Sequence, residues 1–331
     1  MTKKVRKAGI TGVGYYVPKN ILTNYDLEEM LETSDKWIKS RTGIEERRIA
    51  DDNEATSDLA FKAAKKALSD AELDAEDLDL ILVATMTPDM LFPATACLLQ
   101  DRLNATEAAA FDLEAACSGF AYGLSVASQF IASRAYDNIL VIGAETISKI
   151  LDWNNRNTCI LFGDGAGAAV VQPVESGGIL GSILGADGSD SDLLKMPAGG
   201  SKRPVSQKTI ENDLHYLEMD GNAVFKFAVR IVAKAALQVL KELGLTAEDI
   251  DFFIPHQANI RIIDAAAKRL NLNEQEVFIN LDKYGNTSAA SIPIALAEAV
   301  QADKIDKGDK ILFVGFGAGL TWGANVIEWS Y

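Results

Sequence analysis

Cys117 lies in Asp112-Leu-Glu-Ala-Ala-Cys-Ser-Gly-Phe120, between a short apolar run (108–116) and a longer one (119–133). The first has the length of a buried strand; the second, apolar almost all round, reads as a core helix. A thiol at such a strand-to-helix turn sits at the positive end of the helix dipole, which favours the thiolate that attacks carbonyl carbon. The alternative is a buried structural cysteine, a common fate of free thiols. His256 follows the apolar run Phe252-Phe-Ile-Pro255 and precedes a helix, at the strand end where α/β proteins place sites. Asn286, in Tyr284-Gly-Asn-Thr-Ser-Ala-Ala-Ser291, occupies another strand-to-helix turn, where Asn286 or Thr287 would otherwise serve as a helix cap. Gly315-Phe-Gly-Ala-Gly-Leu-Thr-Trp-Gly323 is a glycine-dense turn after a strand. It reads either as a tight turn using positive φ or as backbone N–H groups offered to an oxyanion.

The elements that must bring these turns together are written twice. Ala75-Glu-Asp-Leu-Asp79 recurs as Ala247-Glu-Asp-Ile-Asp251, an offset of 172 residues. In each copy an amphipathic helix precedes it (57–73 and 228–243) and a strand follows (80–84 and 252–255). At the same offset Ile139-Leu-Val-Ile-Gly143 matches Ile311-Leu-Phe-Val-Gly315. Between these matches Phe111-Asp-Leu and Phe278-Ile-Asn each begin a strand followed by a small-residue helix. The period is far too long for a solenoid and implies two copies of one α/β unit, residues 1–172 and 173–331. Near-continuous apolar strands imply sheets covered on both faces. Packed about a pseudo-twofold axis, the turn at 115–117 and that at 283–286 would approach one site. Residues 185–217, rich in Gly, Ser, Asp and Lys, have no counterpart and read as a surface excursion, an idle loop or a lid.

Composition narrows the class. The 331 residues are 48% hydrophobic and 24% charged, ordinary for a globular chain with a sizeable core. A formal net charge of −15 argues against a nucleic-acid partner. No stretch approaches the roughly 18 apolar residues that span a bilayer, so no membrane partner is expected. The basic N-terminus lacks a signal-peptide hydrophobic region, so a cytoplasmic location is expected. Cys97, Cys117 and Cys159 with His215 and His256 show no metal-ligand spacing, and neither a zinc site nor a disulfide framework is expected. Gly163-Asp-Gly-Ala-Gly167 leads into strand-like Ala168-Ala-Val-Val171, where a dinucleotide fingerprint needs a helix.

Together the four strings resemble the β-ketoacyl-acyl-carrier-protein synthase III family of the thiolase fold. The resemblance includes Trp37-Ile-Lys-Ser-Arg-Thr-Gly-Ile44 and covers essentially the whole chain. It implies an α/β fold of two duplicated halves layered αβαβα. It also implies a ping-pong decarboxylative Claisen condensation that initiates type II fatty acid synthesis. Cys117 would take a short acyl group from acyl-CoA, and malonyl-acyl-carrier protein would lose CO2 and attack it, giving 3-oxoacyl-acyl-carrier protein. His256 and Asn286 would donate to the enolate oxygen, and the backbone N–H groups of Cys117 and Ala318 to the acyl oxygen. Ala318 departs from an all-glycine turn, which touches its geometry and not its donor. One site histidine and one asparagine fit the initiating synthases, whereas elongating relatives use two histidines and thiolases a second, late cysteine. His215, in an alternating, strand-like stretch, is read as structural, and Cys97 and Cys159 as core.

By the same resemblance Trp37 and Arg156 would flank the adenine of CoA, with Arg41 near its phosphates. Asn222 and Asn259 would bind the pantetheine amides, and Phe316 would line the passage to the thiol. Phe92 would cross a homodimer interface and limit the primer pocket. No cofactor is implied, because acyl-CoA is a substrate. Lys226 and Arg230, four apart, and Arg261, Lys268 and Arg269 on a second helix, would dock the acidic carrier. An acyltransferase or polyketide-type synthase with another acceptor is the alternative enzyme, and a non-catalytic acyl-CoA-binding relative the alternative class.

Overall fold

The computed structural model describes residues 6–331. The first five residues, which include Lys3 and Lys4 of the basic N-terminus, lie outside it. The first half runs β1 (Lys7–Tyr16), β2 (Asn20–Thr23), α1 (Asn24–Met30), α2 (Asp35–Thr42), β3 (Glu46–Ile49), α3 (Thr56–Asp70), β4 (Leu80–Ala84), α4 (Thr95–Arg102), β5 (Ala109–Leu113), α5 (Gly119–Ser133), β6 (Ile139–Glu145) and β7 (Gly165–Val174). The second runs β8 (Gly178–Ala186), β9 (Leu194–Lys195), α6 (Gln207–Glu211), β10 (Glu218–Met219), α7 (Gly221–Leu243), β11 (Phe252–Pro255), α8 (Ile260–Leu270), α9 (Leu281–Tyr284), α10 (Ser291–Gln301), β12 (Lys310–Gly317) and β13 (Thr321–Glu328). Helix α7 begins seven residues before the expected 228, because Asp220 caps it by accepting from Ala223 N at 3.0 Å.

The halves form two sheets of related order, β1-β7-β6-β4-β5 and β8-β13-β12-β11. In each, a parallel pair (β4 with β6, β11 with β12) adjoins an antiparallel pair (β6 with β7, β12 with β13). β7 reaches Val174, so the first sheet ends two residues beyond the expected division. The fifth strand expected at Phe278-Ile-Asn does not form: its segment touches β11 only through a Phe253–Val277 bridge and the Phe278 N–H to Phe253 carbonyl bond. The 213–218 stretch is not a strand either, and only Glu218–Met219 pairs, with β9.

Alternation along the central strands sorts side chains between cores. On β6, Ile139 and Val141 face the middle core with α5 and α10, while Leu140, Ile142 and Ala144 pack against α3 and α4. On β12, Ile311 and Phe313 join the middle core, and Leu312, Val314 and Phe316 meet α7 and α8. The layers are therefore helices, sheet, α5 with α10, sheet, helices, the αβαβα arrangement.

Candidate active site

The duplication determines where Cys117 sits. Ala116 and Ser288, separated by the same 172 residues, both adopt positive φ, 43° and 49°. Each opens a single helical turn (Ala116–Ser118 and Ser288–Ala290) that leads into α5 or α10. The turn facing Cys117 is thus 287–290, slightly past the expected 283–286. Gly317 is required by close approach: a Cβ there would lie 2.7 Å from Cys117 N and 3.1 Å from the Ala116 Cβ. Gly315–Gly317 belongs to β12, and the turn proper is Ala318–Leu320.

A cleft of about 450 Å³ collects Cys117, His256 and Asn286 with Trp37, Arg41, Asn222, Asn259 and Phe316. The three polar residues are buried at its floor. His256 Nδ1 lies 2.7 Å from Ser291 Oγ, which also accepts from Gln257 N–H at 3.3 Å. Ser291 has one proton to give, and Nδ1 is its partner, so Nε2 carries the ring proton toward the cleft. The Phe316 ring edge packs on the imidazole, with centroids 5.2 Å apart. Asn286 Oδ1 accepts from Ser288 N–H at 2.9 Å, which leaves its NH2 as the free end. Its backbone is stitched to the 161–163 segment by bonds to Leu161 O and from Gly163 N. The capping and donor alternatives for Asn286 therefore coexist: one amide atom holds the turn and the other faces the cleft.

Burial works against the thiolate that the helix dipole favours at this turn. Burial pushes Cys117 up to about 12; Ser288 lowers it somewhat, and the nearby Glu145 carboxyl raises it further. Burial likewise holds His256 down to about 3, a neutral imidazole.

At the mouth, the Arg156 guanidinium lies 5.4 Å from the Trp37 ring centroid and donates to Glu32 O at 2.6 Å. Asn259 caps α8, accepting from Arg261 N, and donates to Arg41 O at 3.0 Å. Lys226, Arg230, Arg261, Lys268 and Arg269 are all exposed. Only Arg261, stacked over the cleft residue Phe225 at 5.3 Å, is tied to the mouth. Lys268 and Arg269 lie at the far end of α8, roughly 10 Å along its axis. Phe92 is 83% exposed and outside the cleft. Cys97, expected in the core, is exposed on α4 beside the edge strand β5. Cys159 is buried, in a turn.

Sequence reasoning missed Glu145, Ser288, Ser291 and the cleft residues Met86, Leu194 and Met219. Glu145 left a signal: it is the single charge closing the apolar run of β6. Leu194 and Met219 show that the excursion and the ribbon after it wall the cleft, while His215 lies outside it, its ring 4.0 Å from that of Tyr216.

Comparison with known proteins agrees with this fold. Family models described as 3-oxoacyl-[acyl-carrier-protein] synthase III and its C-terminal part match residues 111–188 and 240–329. A β-ketoacyl-[acyl-carrier-protein] synthase III of Caldanaerobacter subterraneus subsp. tengcongensis is 63% identical over 98% of both chains. The crystal structure of the 3-oxoacyl-[acyl-carrier-protein] synthase III of Aquifex aeolicus superposes with a TM-score of 0.90 at 48% identity, over 97% of this chain and all of that one. The priming β-ketosynthase of the R1128 polyketide pathway superposes with a TM-score of 0.92 at 35% identity, over 100% of this chain and 98% of that one. The chain belongs to the β-ketoacyl-[acyl-carrier-protein] synthase III family.

Proposed function

We propose that this enzyme initiates fatty acid synthesis by moving a short acyl group from acyl-CoA to Cys117 and then to a carbanion made from malonyl-acyl-carrier protein. The observation that carries the reading is the convergence of Cys117, the Nε2–H of His256 and the free NH2 of Asn286 on one cleft. In the first half-reaction Cys117 Sγ bonds the thioester carbon and CoA leaves, the acyl oxygen facing the N–H groups of Cys117 and Ala318. In the second, the malonyl thioester loses CO2. The enolate oxygen accepts from His256 and Asn286, and its carbon displaces Cys117. Two neutral donors suit this step, since neither loses its proton as charge develops. Trp37 and Arg156 offer a stacking slot for adenine; Arg41, Asn222 and Asn259 lie along the path inward.

The carrier would approach over Arg261, Lys226 and Arg230, with Lys268 and Arg269 as outer contacts. A homodimer is supported by the apolar surface at Leu91, Phe92 and Phe111 next to the unpaired edge of β5. There Phe92 would reach the partner's cleft. No described helix is long and apolar enough to cross a membrane, and a cytoplasmic enzyme using no cofactor fits these substrates.

The test is mass spectrometry of the protein incubated with acetyl-CoA, then with malonyl-carrier protein. An acyl increment on Cys117, discharged with CO2 release, is expected; full condensation by Cys117→Ala would sink the assignment. The likeness to a polyketide priming synthase supports a second reading, the same chemistry with another acceptor. Discharge of acyl-Cys117 without CO2 would favour simple acyl transfer.

A further inference from the structure

We propose that Glu145 is a positioning residue for Asn286: its buried carboxylate anchors Ser288, and Ser288 in turn holds the Asn286 amide with its NH2 toward the cleft. This rests on Asn286 being a donor to the enolate. Glu145 closes β6 and is fully buried. Its Oε1 accepts from Ser288 Oγ at 3.0 Å, its Oε2 from Thr87 Oγ1 at 2.6 Å and Thr85 Oγ1 at 3.3 Å, and both oxygens from Met86 N–H at 3.2–3.3 Å. Thr87 Oγ1 itself accepts from Thr146 N–H at 2.9 Å, and Thr85 Oγ1 from Thr87 N–H at 3.1 Å. Each threonine hydroxyl thus gives a lone pair to the backbone and points its proton at the carboxylate. Thr85, Met86 and Thr87 follow β4 in the first half, whereas Ser288 belongs to the second. A buried carboxylate held only by neutral donors is costly to keep. This one joins the halves at the cleft, which Met86 and Asn286 both line.

The internal duplication offers a comparison within the molecule. At the offset of 172 residues, Glu114, Ala116 and Glu145 correspond to Asn286, Ser288 and Gly317. In both copies the first side chain accepts from the backbone of the second residue: Ala116 N–H donates to Glu114 Oε1 at 3.1 Å, and Ser288 N–H to Asn286 Oδ1 at 2.9 Å. In both copies that second residue has positive φ. The copies part at the third position. Gly317 has no side chain to give, and a Cβ there would stand 3.1 Å from the Ala116 Cβ, so the cysteine turn is closed by backbone packing. Glu145 takes the corresponding place beside Ser288 and bonds its hydroxyl. The carboxylate is therefore not needed to build such a turn; it is an addition to the copy that carries Asn286.

What the addition supplies follows from the chemistry of an amide, whose two ends are alike in shape and opposite in polarity. With Oδ1 on the Ser288 N–H, Asn286 turns a donor to the cleft. A flipped amide would set NH2 against N–H and offer the developing enolate an acceptor. The Ser288 N–H is thus the group that selects the working orientation, and it selects only as firmly as Ser288 is held. A hydroxyl bonded to a carboxylate is held about twice as strongly as by a neutral acceptor.

The test separates the two half-reactions in the wild type, E145Q, S288A, N286A and the double variants E145Q/N286A and S288A/N286A. E145Q keeps the shape and exchanges one acceptor oxygen for an NH2. S288A cuts the chain at its next link, and Ala116 shows that alanine adopts this φ. CO2 release from malonyl-carrier protein should fall ~10-fold or more in E145Q and in S288A. Acyl-Cys117 formation by E145Q, read by mass with acetyl-CoA, should not slow, since removing a nearby negative charge does not make a thiol less acidic. A general loosening of the fold would slow both. Because Glu145 acts through Asn286, neither E145Q nor S288A should reduce CO2 release further once N286A is present. The proposal is overturned if the E145Q loss persists undiminished beside N286A, if both half-reactions slow equally, or if S288A releases CO2 as the wild type does. Should E145Q not fold, S288A and S288A/N286A make the same comparison. CO2 release by N286A at the wild-type rate would instead overturn the enolate-donor role of Asn286, on which the proposal rests.

Discussion

Replacing Ser291 with alanine removes the contact that sets the proton on the His256 ring. The substitution deletes the 2.7 Å bond to Nδ1 and the acceptor for Gln257 N–H. The ring nitrogen is then buried without a partner, and the tautomer with the proton on Nδ1 becomes accessible. A neutral hydrogen bond contributes about 1 kcal/mol net, and a buried unsatisfied group costs about 1–3 kcal/mol. A loss of about 1–2 kcal/mol in the step that uses Nε2–H is ~5- to ~30-fold in rate. That loss should fall on CO2 release from malonyl-carrier protein. Acyl-Cys117 formation should stay near the wild-type rate, since no contact joins Ser291 to the thiol. Both are read on one preparation, by trapped CO2 and by intact mass, and S291T should recover part of the first. Unimpaired decarboxylation by S291A, or equal loss in both half-reactions, would refute the tautomer argument.

Gly317→Ala should destabilise the protein by ~1–3 kcal/mol and slow acylation, because the added methyl meets Cys117 N at 2.7 Å; an unchanged melting temperature and acylation rate would mean that β12 can retreat. If the proposed homodimer uses the exposed apolar patch, the wild type should be a dimer and Phe92→Asp a monomer by light scattering; a monomeric wild type or a dimeric variant would contradict that. Burial lowers the His256 pKa from the ordinary 6.5 to about 3, so its contribution to stability is present above pH 6.5 and is lost as pH falls toward 3. Urea unfolding between those values should therefore be less steeply pH-dependent in H256N, by up to about 1.4 kcal/mol per pH unit; parallel curves would contradict a buried neutral imidazole.

Much of the scaffold was legible because it depends on local pattern. The α5 limits and the strands at 80–84 and 252–255 came directly from apolar runs and their flanking turns. Phe278-Ile-Asn failed because an apolar triplet does not say whether a neighbouring strand has room to pair. The alternation around His215 failed for the same reason. Cys97 was misplaced because helix α4 packs at a sheet edge, and the outward face of an edge helix is invisible in composition. Ser288 and Ser291 were in plain view, but two serines in a small-residue string carry no mark of what they touch.

The sequence alone determined which groups this protein possesses and the order in which its two copies of the α/β unit present them. One cysteine, one site histidine and one asparagine, each at a strand-to-helix turn, carried the resemblance to the β-ketoacyl-acyl-carrier-protein synthase III family, and that resemblance implied acyl transfer. The tertiary structure alone decided their chemical state. Cys117 is buried at the floor of the cleft, which raises its thiol pKa against the partial charge of the helix end. His256 is neutral with its proton on Nε2 because Ser291, 35 positions away, occupies the other nitrogen. Asn286 presents its NH2 because Ser288 N–H takes its oxygen. Protonation and orientation depend on what surrounds a side chain in space, and here those neighbours come from both halves of the chain.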